Sequence, residues 1–158
     1  MITYVVVVLV VILVLYLSFR TLGGGTTVTP EDYRTVLARI GEFTAARAAE
    51  LDGSLTAETA TAARKKLTGY QEQLGRLEPD AAEGSAERDV LESARSLLSA
   101  AIEDLGWACR MLEAGNHDDN PGVQRAVTEL RAAAAGCIDA AQRLLPAAPP
   151  VEATPAGL

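Results

Sequence analysis

VLESARSLLSAAIEDLGWACRMLE, residues 90–113, decides the fold. Its apolar side chains fall at Val90, Leu91, Ala94, Leu97, Leu98, Ala101, Ile102, Leu105, Cys109 and Leu112, in steps that line one face of an α-helix. Gly115-Asn116 ends the helix, because glycine readily takes the left-handed conformation that closes a last turn. This is the longest stripe in the soluble part of the chain, and the segments on either side carry matching ones.

Downstream, Asn120-Pro121 places a capping side chain before a proline at the first helical position. The helix that follows turns Val123, Val127, Leu130, Ala134, Cys137, Ile138, Ala141, Leu144 and Leu145 inward and stops at Pro146. Upstream, Pro79 is a break. The next helix starts either at Asp80, which forms a capping box with Glu83, or some five residues later past Gly84-Ser85. Before that break, Ser54 or Thr56 caps a helix whose inward positions are Ala60, Ala63, Leu67, Tyr70, Leu74 and Leu77. Thr29-Pro30-Glu31-Asp32 opens the first helix of the set, with two acids at the positive end of its dipole. Its stripe runs Tyr33, Val36, Leu37, Ile40, Phe43, Ala48 and Leu51, and Asp52-Gly53 closes it, giving a helix over 31–52.

Four helices with short connections are expected to form an all-α, antiparallel (up-down-up-down) four-helix bundle over residues 30–146. Alanine at the seam positions Ala60, Ala63, Ala94, Ala101, Ala134 and Ala141 should bring the helices close together. Residues 21–29, TLGGGTTVT, are expected to be a flexible Gly/Thr linker, and residues 147–158 a disordered Pro/Ala-rich tail.

Ahead of the linker, ITYVVVVLVVILVLYLSF at residues 2–19 carries no charge, and its only polar groups, Thr3, Tyr4, Tyr16 and Ser18, lie near its two ends. At about 1.5 Å per residue it would cover about 27 Å, close to the hydrocarbon thickness of a bilayer. Residues 1–20 are therefore expected to be a single transmembrane helix that anchors the protein in the lipid bilayer. A cleaved signal peptide fits less well, because no basic residue precedes the run and no A-x-A site follows it. The span has no intramembrane charge and no small-xxx-small pattern, so it reads as an anchor and not as a conduction path. Arg20, Arg34 and Arg39 follow the run, and the positive-inside rule then places the N-terminus outside and the C-terminal domain in the cytoplasm. The scarcity of lysine, present only as Lys65 and Lys66, and the abundance of alanine lean toward a GC-rich bacterial genome.

The charge balance bears on partners. Of the 14 basic residues one, Arg20, abuts the apolar run, and the rest are outnumbered by 21 acidic residues. A negative surface repels phosphate, so nucleic acid is excluded as a partner. The short cluster Arg64-Lys65-Lys66 reads as an ordinary exposed helix surface, the alternative being a contact with anionic lipid or an acidic partner. Cys109 and Cys137 should be free thiols: on antiparallel helices joined near residues 116–120 they sit about 16 Å out of register, too far to bridge.

Catalytic patterns are missing. P-loop, dinucleotide-binding, nucleophile-elbow and haem-attachment motifs do not occur. His117, the only histidine, stands in the turn HDDNPG. As a calcium loop, Asp118, Asn120 and Glu129 would take positions one, three and twelve, but Gly122 falls one place early and the ligand at position five is missing. A Cys109–His117 dyad would join a buried helical face to a loop tip. No catalytic residue, metal, cofactor or small-molecule substrate is expected.

Trp107 stands off the main stripe, with Ala100 and Met111 on its face. Either a neighbouring helix covers this second strip, or Trp107 and Met111 form an exposed protein-binding patch. The expected function is that of a non-enzymatic, single-pass membrane protein acting as scaffold or accessory subunit of a membrane complex, with a protein partner at the membrane. The alternative is an extracytoplasmic sensor or ligand-binding bundle held by an uncleaved signal anchor.

Overall fold

The computed structural model describes residues 25–53, 56–115 and 119–145. Four helices make up most of it: α1 (Pro30–Gly53), α2 (Ala57–Arg76), α3 (Ala86–Glu113) and α4 (Pro121–Leu144). Two three-residue strands, β1 (Thr26–Val28) and β2 (Leu77–Pro79), accompany them. The all-α expectation holds at this level. The apolar run at 2–19 and the tail at 147–158 lie outside the described residues; among the described residues no helix is long and apolar enough to cross a membrane.

Local chemistry accounts for the helix starts. The Thr29 hydroxyl accepts from the Asp32 amide at 3.2 Å and donates to the Asp32 carboxylate at 2.7 Å. Thr56 accepts from Thr59 N, and Asn120 Oδ1 accepts from Gly122 N and Val123 N at 3.0 and 3.3 Å. Between the two starts that the sequence leaves open for α3, Ser85 is the cap, accepting from Arg88 N, and Gly84 reaches it through a positive φ of 73°. Each cap satisfies an amide that the first helical turn leaves without a carbonyl.

Side-chain pairs give the helix directions. Arg64 on α2 meets Glu113 on α3, and Gln71 meets Ser99, so residues rise along one helix as they fall along the other. Arg34 meets Glu87, and Gly41 lies against Leu98, so α1 runs parallel to α3. The α3–α4 contact is the most extensive in the molecule. Residues 114–120 could not reach back along α3, which at about 1.5 Å per residue is about 42 Å long, so α4 returns antiparallel.

The core follows the stripes. Ala60, Ala63, Ala94, Ala101, Ala134 and Ala141 are all buried, together with Leu67, Leu91, Leu98, Leu105 and Val127. One inward assignment is corrected: Phe43 is 46% exposed, its ring stacked on Tyr70 at 5.8 Å between centroids. The buried arc of α1 passes through Ile40, Gly41 and Thr44 instead, and one residue is about 100° of helix rotation. Thr44 tolerates full burial because its hydroxyl donates to Ile40 O at 2.7 Å.

The linker is corrected as well. Thr26–Val28, expected to be flexible, pairs in parallel with Leu77–Pro79 in the register Thr26↔Leu77, Thr27↔Glu78, Val28↔Pro79. The ladder closes with Asp80 N donating to Val28 O at 2.7 Å. In a ladder where alternate residues bond, this places Pro79 at a position that needs no N–H, which is where a sheet accepts proline. Gly25 enters the pair closely; a Cβ there would stand 3.2 Å from Glu78 side-chain carbons and 3.3 Å from Arg76 O.

Candidate functional site

The antiparallel α2 and α3 leave an open groove of about 390 Å³ between them. From α2 it takes Arg64, Leu67, Thr68 and Gln71, the i, i+3, i+4, i+7 row of one face. From α3 it takes Gly106, Trp107 and Arg110 among its lining residues. Leu67 and Ile102 reach it from the core side, so its floor is apolar. Gly106 widens it, since a Cβ at this position would find nothing within 4 Å.

Trp107 forms the outer rim and is 48% exposed. The guanidinium carbon of Arg110 lies 4.4 Å from the centre of its ring, where a cation meets the negative face of the π system. Met111 does not share that exposure. It is half-buried and packs against the core. The two side chains named together from the sequence thus part company, and Arg110 takes the place beside the indole. Its position three residues after Trp107 and the unusual mid-helix Gly106 were the signals that sequence reasoning passed over.

One wall of the groove is held by an ion pair. Arg64 Nε donates to both oxygens of Glu113, at 2.8 and 3.0 Å. That hydrogen bond holds the Glu113 carboxyl below the usual carboxylate range and raises Arg64 in turn. The basic cluster therefore splits: Arg64 is committed to the groove, and Lys65 and Lys66 are exposed on the helix surface. Further down α3, a second hollow of about 450 Å³ is lined by Arg95, Ser96, Ser99 and Glu103, and Glu103 also borders the groove. Nearby, burial, reinforced by Glu103, raises the Asp104 carboxyl.

The cysteines are free, Cys109 buried and Cys137 half-buried. Burial, helped by the charge of Glu113, pushes the Cys109 thiol up to about 11, which keeps it protonated at neutral pH and unsuited to nucleophilic attack. His117 and Asp118 lie outside the described residues. Among the described residues no group of three or more His, Cys, Asp or Glu side chains is placed to hold a metal ion.

The chain matches no protein-family model, no curated protein and no solved structure.

Proposed function

We propose that this protein is a membrane-tethered, non-enzymatic helical bundle that serves as scaffold or accessory subunit of a membrane protein complex, engaging its partner through the Trp107–Arg110 rim of the α2–α3 groove. The anchor is the uncharged run at 2–19, and the bias of Arg20, Arg34 and Arg39 favours a cytoplasmic bundle. The observation that carries the reading is the half-exposed tryptophan with a guanidinium laid on its face. Tryptophan and arginine dominate binding energy where proteins meet, because they bury large planar surfaces and keep polar edges for hydrogen bonds. An apolar floor with a polar rim is the usual anatomy of such an interface.

Purification of the full chain from membranes in mild detergent tests this. A stoichiometric partner is expected with the wild type and should be lost with Trp107→Ala, while the stability changes by no more than a surface substitution does, about 0.5 kcal/mol. Recovery of the bait alone, or an undiminished partner with the variant, refutes the assignment. A large fall in melting temperature would show instead that Trp107 serves the bundle's own stability.

A further inference from the structure

We propose that the β1–β2 pair is a strap that shortens the protein's membrane tether, holding the strap end of the bundle within about 20 Å of the lipid. The inference rests on the reading of residues 2–19 as the anchor. The start of α1, the end of α2 and the start of α3 lie at the same end of the bundle, as the paired side chains establish. β1 passes into α1 through Thr29 alone, and β2 follows α2 without a gap. Pairing the two strands therefore fixes the chain to the body of the bundle from Thr26 onward, four residues before the first helix.

Chain geometry turns this into a length. Between Phe19 and Gly25 only residues 20–24 intervene, and an extended chain covers at most about 3.5 Å per residue, giving a reach of about 20 Å. Were β1 unpaired, the first held residue would be Pro30 and the reach would be roughly 38 Å. The strap thus removes about half of the slack. Adhesion would not do the same work on anionic lipid, because Glu31, Asp32, Glu78, Asp80, Glu83, Glu87 and Asp89 outnumber Arg34, Arg76 and Arg88 on this side of the bundle. Trp107 lies 21 residues along α3 from Ala86, about 30 Å further up the axis at 1.5 Å per residue. Trp107 thus sits toward the end of the bundle away from the tether, where a partner with a folded extramembrane part can reach it.

The test uses the full chain in nanodiscs of mixed neutral and anionic lipid. Energy transfer to a headgroup acceptor is measured from single dyes at Glu83→Cys, near the strap, and at Asp119→Cys, at the far end, each with Cys137→Ser; the fully buried Cys109 stays unlabelled. The dye at 83 should lie nearer the lipid, on average, than the dye at 119. Equal or inverted distances overturn the proposal. Gly25→Val combined with Val28→Pro should raise the mean distance at 83 by about 10 Å with helicity unchanged, and a ten-residue Gly/Ser insertion after Gly24 should do so with the strap intact. No rise in either variant overturns it, as does rapid hydrogen exchange of the Asp80 amide in the wild type. Loss of the protein from vesicles in an alkaline wash would remove the anchor reading itself, an outcome distinct from a bundle that stays bound at the wrong height.

Discussion

Among single side chains, Cys109 has the most definite chemistry. It is fully buried, and its thiol is held as a neutral group up to about pH 11. The folded chain then binds that proton more tightly than the unfolded chain, where the same group ionises near 9.0. The contribution is intact below pH 9 and is lost as pH rises toward 11, so the sign is a fall in stability with rising pH. Urea unfolding at pH 8 and pH 10.5 should show a smaller loss in Cys109→Ala than in the wild type. A thiol reagent at pH 8 should label Cys137 well ahead of Cys109. The sequence already placed Cys109 on the inward stripe, because nine other positions share its spacing. It left Trp107 open and placed Phe43 inward wrongly, since a flank residue is covered or bare according to how the neighbouring helix is rotated, and that rotation depends on residues far away in the chain.

The helices read more clearly, because their ends are set by neighbours in sequence. Thr29, Thr56 and Asn120 act as the caps their residue types suggest, and Ser85 settles the start of α3. Two glycines of α3 and its end give opposite expectations for the same substitution. Gly106 is in the helix interior with open space around its Cα, so Gly106→Ala should stabilise the protein by up to about 1 kcal/mol through helix propensity alone. Gly115 has a φ of 72°, so Gly115→Ala should destabilise by about 1 to 2 kcal/mol. Thermal melts of both variants check the pair. Because Gly106 opens the groove beside Trp107, its stabilised variant should also hold a partner less well, which separates the reason for the glycine from helix stability.

For the molecule as a whole, the alanine seams set the packing. Ala134 is fully buried on α4, and Ala134→Leu adds three carbon atoms where the helices already meet. Overpacking of this kind should cost about 1 to 3 kcal/mol, measured by urea unfolding. The bundle was legible because helix periodicity, caps and short connections each point to it. The β1–β2 pair was not: Thr26–Val28 and Leu77–Pro79 are three residues each, lie far apart in sequence, and neither has the length that makes a strand pattern visible. α1 touches all three other helices, including the last one in the chain. A ribosome adding about 5 to 20 residues per second emits α1 before the other helices of the bundle and completes α4 about 5 to 20 seconds later. For that interval the greasy side of α1 has no finished seat, and the newborn chain depends on whatever shelters it until α4 emerges.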